Sequence, residues 1–224
     1  MQAVKLKRPI HNVVIFGDSY STFEGHIPEG YLAYYTGTTG TDLTCVEQTW
    51  WHRFVTRAGA CLVQNNSYSG STLCYTGRFS REQNLETAFV TRMDALLEDG
   101  FFEREQIDTV LIFGGTNDTW LPQTQMGEVI LDGWTPEDLA NAVPAATYLL
   151  ARLKRALPDG NVIFILNTHL DPKLVEGVKQ GCEVFGCSYL PLHDIHKLEG
   201  HPSVLGMEQI SMQLLAACGY CSES

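Results

Sequence analysis

Short apolar runs rich in β-branched residues alternate with longer amphipathic stretches along this chain, and that alternation constrains its fold most strongly. Four runs predict buried strands at 13–16, 61–63, 109–113 and 162–166, and a weaker fifth candidate covers 184–190. Between them, helical spacing recurs at about 46–58, 81–98, 136–156, 172–183 and 203–217. Strands that alternate with helices form parallel sheets through right-handed crossovers. The sequence therefore predicts an α/β fold with helices on both faces of one sheet.

The third helical stretch has the clearest start signal. Thr135 is a typical N-cap residue, Pro136 suits the first helical position, and an acidic pair follows in the first turn. Apolar residues then recur at helical spacing as far as Leu153, and a Pro-Asp-Gly sequence follows. We expect one helix to begin beside Pro136 and to continue to 156.

Length and charge limit the organisation of the chain and its partners. A chain of 224 residues favours one domain over 1–224, with its core at about 11–217. The net charge of -11 argues against nucleic acid and anionic membranes, because both need a basic protein face. The apolar runs are far shorter than the roughly 20 residues that span a bilayer, so we expect no membrane insertion. The residues before the first strand hold too short an apolar run for a signal peptide, which predicts a cytoplasmic protein unless a longer leader precedes them.

Three strands of the predicted sheet run directly into small and polar residues. In open parallel sheets, ligands bind at this carboxyl edge. Ser19 follows the first strand, Gly70 the second and Asn117 the third. A serine there can act as a nucleophile, a glycine can offer an unshielded N–H, and an asparagine amide can donate to an oxyanion. Taken alone, Ser19 and Gly70 fit an ordinary turn or loop better than a site, whereas Asn117 fits a turn and a donor equally well.

A serine nucleophile needs a base, and His201 is the best candidate because it directly precedes an amphipathic run at 204–215. His193 and His196 are nearby, but their spacing matches no metal-ligand pattern. Cys218 and Cys221 have the spacing of a redox or zinc pair, but no second pair matches them. The odd number of cysteines favours reduced thiols. We therefore expect neither a metal nor a cofactor.

Taken together and in order, these signals resemble the SGNH (GDSL-type) hydrolase family. The segments that carry the resemblance are 14–21, 66–72, 114–118 and 200–203, which contain Gly-Asp-Ser, Ser-Gly-Ser, Gly-Thr-Asn-Asp and His-Pro. The resemblance implies a flavodoxin-like three-layer αβα fold with five parallel strands in the order 2-1-3-4-5.

The resemblance also implies site roles. Ser19 would be the nucleophile and His201 the base, while the Ser19 N–H, the Gly70 N–H and the Asn117 amide would form the oxyanion hole. Members of this family typically cleave esters without a metal. The expected partner is therefore a small-molecule ester, and the sequence predicts no oligomeric state.

One position departs from the family pattern. Three residues before the histidine, where the family usually has an aspartate, this chain has Leu198. The acids within reach along the chain are Asp194 and Glu199. We favour Asp194 as the residue that orients His201, with Glu199 or a backbone carbonyl as the alternatives.

Two long segments, 20–49 and 119–133, are expected to shape the pocket, because loops at the active edge of a sheet usually do so. Their aromatic residues could stack on a sugar or enclose an acyl chain, whereas Trp50 and Trp51 are predicted to anchor the first helix in the core. We expect a serine esterase for a small acyl or acetyl ester, including an acetylated carbohydrate. The alternatives are a non-catalytic flavodoxin-like phosphate-binding module and an acyltransferase that uses the same serine.

Overall fold

The computed structural model of the protein describes residues 4–39 and 41–220. Five parallel strands form its central sheet in the order β2-β1-β3-β4-β5, which confirms the predicted order. These strands are β1 (Asn12–Gly17), β2 (Cys61–Ser67), β3 (Thr109–Phe113), β4 (Asn161–Leu166) and β5 (Ser188–Pro191). The α-helices are α1 (Trp50–Ala58), α2 (Arg81–Thr87), α3 (Phe89–Glu98), α4 (Phe101–Arg104), α5 (Thr116–Trp120), α6 (Ala142–Ala156), α7 (Pro172–Phe185) and α8 (Val204–Ala217).

The sheet is buried on both faces, as the continuous apolar runs predict. Because side chains alternate along a strand, each central strand supplies apolar residues to two separate clusters. The cluster beneath α3, α6 and α7 includes Val14, Phe16, Val110, Ile112, Val162 and Phe164. The cluster beneath α1 and α8 includes Val13, Ile15, Leu111, Phe113, Ile163 and Ile165. Trp50 and Trp51 are almost completely buried in this second cluster, as predicted for anchors of the first helix.

The prediction of a continuous helix from Pro136 was wrong. Thr135 and Asp138 do form a capped turn, but the backbone is extended at Asn141 (φ −113°, ψ 145°), and α6 begins only at Ala142. Pro144 explains the difference. In a helix running from Pro136 it would lie in the interior, where it lacks an N–H and clashes with the preceding turn, whereas in α6 it occupies the first turn.

Two other boundaries also differ from the prediction. The stretch 81–98 is divided at Ala88, which has an extended ψ of 146°. This break directs the N–H of Phe89 to the carbonyl of Thr72 at 3.0 Å. The fifth strand begins at Ser188 and not at 184, because α7 continues to Phe185 and ends at Gly186.

No helix among residues 4–39 and 41–220 is long and apolar enough to cross a membrane. The six cysteines in these ranges are free thiols, and Cys221, the second member of the Cys-x-x-Cys pair, lies outside them.

A buried arginine, Arg92 on α3, ties together the carboxyl ends of β1 and β2. Its guanidinium donates to the carbonyls of Thr87 (2.8 Å), Asn66 and Gly17 (3.2 Å) and to the Ser71 hydroxyl (3.1 Å). The side chain of Asn66 accepts a further bond at 2.9 Å. Burial lowers the pKa of Arg92 to about 10, so the group remains charged at neutral pH. One cation therefore satisfies backbone carbonyls from three segments that meet at the active edge.

We expect Arg92→Met to lower the free energy of unfolding by roughly 3–5 kcal/mol, because it leaves several buried carbonyls without a donor. Denaturant unfolding monitored by circular dichroism measures this change. Arg81→Met, which alters an exposed arginine on α2, is the control and should change stability by less than about 0.5 kcal/mol. Similar unfolding midpoints for the Arg92 and Arg81 variants would contradict the structural role of Arg92.

Candidate active site

Ser19 occupies the first position of a short 3-10 turn, Ser19–Ser21, directly after β1. The carboxylate of Asp18 caps this turn by accepting the N–H of Tyr20 at 3.0 Å. Ser19 is only 7% exposed, yet its Oγ lies 3.0 Å from Nε2 of His201. The structure thus brings together the serine and the histidine that the sequence analysis selected, although 181 residues separate them in the chain.

The turn that carries Ser19 lies very close to the end of β2. A Cβ added to Gly17 would be 2.4 Å from Oγ of Ser67 and 2.5 Å from Cβ of Ser21. Such distances are too short for any side chain, so only glycine allows the serine turn to fold back against the neighbouring strand.

Gly70 lies in a tight turn after β2. The Ser71 N–H donates to the Tyr68 carbonyl at 3.2 Å, and Gly70 has a φ of +83°, which favours glycine at the third position of such a turn. The Ser69 N–H donates to the carbonyl of Leu32 at 2.8 Å and thereby joins the turn to the long segment 20–49. The N–H of Gly70 donates to no residue that the structure describes, so it remains available to a substrate oxygen.

Asn117 is placed by α5, which begins directly after β3. Its Nδ2 donates to the carbonyl of Ser71 at 2.9 Å, beside Gly70. An amide nitrogen carries two hydrogens, so the second one is free for an oxyanion. The next residue, Asp118, is buried and accepts the N–H of Leu73 through both carboxylate oxygens, at 3.0 and 3.1 Å. These bonds hold α5 against the Gly70 turn.

His201 is presented by a small β-hairpin that was not predicted. Strands β6 (Lys197–Leu198) and β7 (His201–Pro202) pair antiparallel around a two-residue turn. Both turn residues have a positive φ, 49° at Glu199 and 83° at Gly200, as type I′ hairpin turns require. The hairpin therefore fixes the backbone of His201 through turn geometry.

The Nδ1 atom of His201 lies 3.4 Å from the backbone carbonyl of Glu199. A carbonyl can only accept, so this contact requires the hydrogen on Nδ1 and leaves Nε2 free to accept the Ser19 hydroxyl proton. The partner of the histidine is thus the backbone carbonyl that was considered as an alternative. The carboxylates of Asp194 and Glu199 do not occupy this position.

The prediction that Asp194 orients His201 was therefore wrong. Its side chain is 96% exposed and contacts Nδ1 of the neighbouring His193 at 3.2 Å. The backbone N–H groups of His193 and His196 donate to glutamine side chains of α8 at 3.1 and 2.7 Å. This segment therefore runs alongside α8 and holds Asp194 on the order of 10 Å along the helix from the hairpin.

Tyrosines of the segment 20–49 enclose the imidazole. The ring of Tyr34 stacks on His201 with a centroid separation of 3.6 Å and an interplanar angle of 9°. The hydroxyl of Tyr20 donates to the carbonyl of Gly200 at 2.5 Å, and that of Tyr35 to the carbonyl of Pro202 at 3.0 Å. The plane of the ring and the position of the hairpin are thus both fixed by one loop.

This environment lowers the pKa of His201. Burial is the main cause, and the positive charges of Lys197 and Arg78 act in the same direction, against the effect of the Glu199 carbonyl. Burial also raises the pKa of Asp18 to about 7, and its Oδ2 has no hydrogen-bond partner within the described ranges. A neutral imidazole is the form that can remove a proton from serine.

Among the described residues, no cluster of three or more histidine, cysteine, aspartate or glutamate side chains could hold a metal ion. His196, which the sequence places near His201, contacts the Ser203 hydroxyl at 2.6 Å, and His193 contacts Asp194. The three histidines thus have different partners.

The residues that support the site were not predicted from the sequence. Arg92 has a recognisable signal, because an arginine between Val90 and Met93 falls within the apolar stripe of its helix. The stacking of Tyr34 on His201 has no comparable signal, since the two residues lie far apart in the chain and meet only through the hairpin.

Comparisons with known proteins identify the family of this chain. The family model of the GDSL-like lipases and acylhydrolases matches residues 11–218. A candidate GDSL-like lipase from Bacteroides ovatus has 39% sequence identity and a TM-score of 0.83, over 93% of this chain and 98% of the other. A second, from Bacteroides uniformis, has 40% identity and the same TM-score of 0.83, over 94% and 96%.

More distant structures share the fold. A family two carbohydrate esterase from Clostridium thermocellum, solved with cellohexaose, has 16% identity and a TM-score of 0.62 over 93% of this chain and 64% of the other. No match was found among curated proteins. The family model spans the sheet, the serine turn and the histidine hairpin, and the chain belongs to the GDSL-like lipase/acylhydrolase family of hydrolases.

Proposed function

We propose that this protein is a serine esterase that removes a small acyl or acetyl group from an alcohol through an acyl-enzyme on Ser19. The observation that carries the proposal is the 3.0 Å contact between Ser19 Oγ and His201 Nε2. The accompanying Nδ1 contact leaves Nε2 as the proton acceptor. In this proposal His201 is the general base, and the oxyanion is bound by the N–H groups of Ser19 and Gly70 and by the Asn117 amide.

The reaction follows from these positions. Ser19 Oγ attacks the ester carbonyl carbon while its proton passes to Nε2 of His201, and the carbonyl oxygen becomes an oxyanion. When the tetrahedral intermediate collapses, the ester C–O bond breaks and the leaving alcohol takes the proton from Nε2. A water molecule then attacks the acyl-enzyme by the same route, which releases the acid and restores the serine.

An acetylated carbohydrate is the substrate class that we propose. The fold is shared with the Clostridium carbohydrate esterase and with an acetyl xylan esterase from Butyrivibrio proteoclasticus. In this chain, aromatic side chains surround the histidine, where the leaving alcohol must lie, and the net charge of -11 favours a neutral substrate over an acidic one.

The site gives less support to the phosphate-binding alternative. Residues after β1 form only one 3-10 turn, in which Ser19, Tyr20 and Ser21 are all buried, and so offer no open helix terminus to an anion. An acyltransferase would use the same serine and histidine. Product analysis with added alcohol acceptors would distinguish transfer from hydrolysis.

Ser19→Ala should abolish covalent labelling by a fluorophosphonate, because the alanine has no nucleophilic oxygen. Intact-protein mass spectrometry measures the adduct, and the melting temperature should remain nearly unchanged. Ser188→Ala, at the start of β5, is the control and should label like the unmodified protein. An adduct of undiminished yield on the Ser19 variant would refute the assignment.

Asn117→Ala should lower kcat by about 10²–10³ with little change in KM, as expected for an interaction made mainly with the oxyanion. Steady-state kinetics on a short-chain ester measures this effect. Gln123→Ala is the matched control, because Gln123 also donates its amide to a loop carbonyl, that of Gly77 at 2.9 Å. Equal kinetics for the two folded variants would leave Asn117 with a structural role only.

The acid limb of kcat/KM should have its midpoint below the unperturbed histidine value of about 6.5, because burial lowers the pKa of His201. Below that pKa the imidazole is protonated and cannot accept the serine proton. Lys197→Met removes a nearby positive charge and should move the midpoint upward. Asp194→Asn, the control, should leave it in place. A downward shift in the Asp194 variant would restore the carboxylate as the partner of the base.

A further inference from the structure

Trp120 is a large aromatic side chain that remains accessible beside the catalytic hairpin. It is the last residue of α5, and 49% of its surface is exposed. A Cβ added to Gly200 would lie 3.8 Å from Cη2 and 3.9 Å from Cζ3 of Trp120, so one edge of the indole lies close beside the hairpin turn. The fold thus leaves a tryptophan half open where it meets the turn that carries the base.

Trp120 also lies on the same helix as Asn117, one of the proposed oxyanion donors. Asn117 and Trp120 are three residues apart on α5, and residues at that spacing lie on the same side of a helix. Trp120 therefore connects the element that carries Asn117 with the hairpin that carries His201. Leu198 on the same hairpin is also exposed, at 39%, so the hairpin itself presents an accessible apolar side chain.

The proposed reaction assigns a side of the site to each half of the ester. The leaving alcohol takes its proton from Nε2 of His201, so the alcohol must lie against the hairpin. The carbonyl oxygen must instead point toward Gly70 and Asn117. Trp120 lies beside Gly200, the residue next to His201, and is therefore close to the hairpin against which the alcohol must lie.

We propose that Trp120 is the aromatic platform on which the leaving alcohol binds, and that this alcohol is the ring of a neutral sugar. The inference rests on the proposed esterase function and assigns one residue to its specificity. A pyranose has an apolar C–H face that packs against an indole, while its hydroxyls remain in water or bond to the polar rim. Glu199, exposed at the same turn, can accept sugar hydroxyls and disfavours an anionic ring.

The test compares two acetate esters that differ in the alcohol. Methyl 6-O-acetyl-β-D-glucopyranoside presents a sugar ring, whereas ethyl acetate presents none; aryl acetates are avoided because their own rings could stack. Trp120→Ala should lower kcat/KM for the glucoside about two- to twelvefold more than for ethyl acetate, mainly through KM, which is the range that an aromatic contact of roughly 0.5–1.5 kcal/mol corresponds to. Trp120→Phe should recover most of the difference.

Leu131→Ala, which alters an exposed apolar residue of the same long segment, is the matched control and should leave both esters unaffected. Equal losses for the two esters in Trp120→Ala would show a purely structural role for the indole and overturn the proposal. Unchanged kinetics for both esters would overturn it as well.

A binding measurement separates this inference from the esterase proposal. Methyl β-D-glucopyranoside should change the tryptophan fluorescence of Ser19→Ala, and Trp120→Phe should remove that change. Binding without hydrolysis in the unmodified protein would support the platform and refute the esterase. Hydrolysis of ethyl acetate without sugar binding would support the esterase and refute the platform.

Discussion

The active edge of this protein depends on the buried guanidinium of Arg92. Parallel strands end in backbone carbonyls, and those of Gly17 and Asn66 lie where the serine turn and the Gly70 turn must approach each other. Water cannot satisfy buried carbonyls there, and another apolar side chain would leave them unpaired. A planar donor with five hydrogens can bond several of them at once. The geometry of the candidate site is therefore built around a cation whose hydrogen bonds go to Thr87, Asn66, Gly17 and Ser71 and not to Ser19.

His201 is oriented by a backbone carbonyl and a stacked ring, where a carboxylate is the more familiar partner of such a histidine. A carboxylate partner would add charge beside the imidazole and favour its protonated form. Here the Glu199 carbonyl and the stacked ring of Tyr34 hold the imidazole in position, and burial keeps its pKa low. In the proposed mechanism, this arrangement gives up stabilisation of the imidazolium and keeps the neutral form available over a wider pH range.

The sheet and the residues that meet at its edge could be predicted from sequence because their signals are local. Ser19 and Asn117 directly follow buried strands, and the polar character of those positions is visible in the chain. The partner of His201 could not be predicted, because it depends on a two-residue turn and on the path of the preceding segment along α8. The start of α6 differs from the prediction because the capping signals at Thr135 form only a short turn, while Pro144 must lie in the first turn of the helix.

The three tyrosines that contact the histidine hairpin all lie in the segment 20–49, with Tyr20 in the serine turn itself. An exchange of this loop, whether by mutation during evolution or by grafting from a relative, would therefore change the reactivity of the base together with the shape of the pocket. The segment that follows α5 supplies none of these tyrosines, so variation beyond Trp120 leaves their contacts with the hairpin in place. We therefore expect the substrate range of such a scaffold to diversify through the segment after α5, while the segment 20–49 is retained.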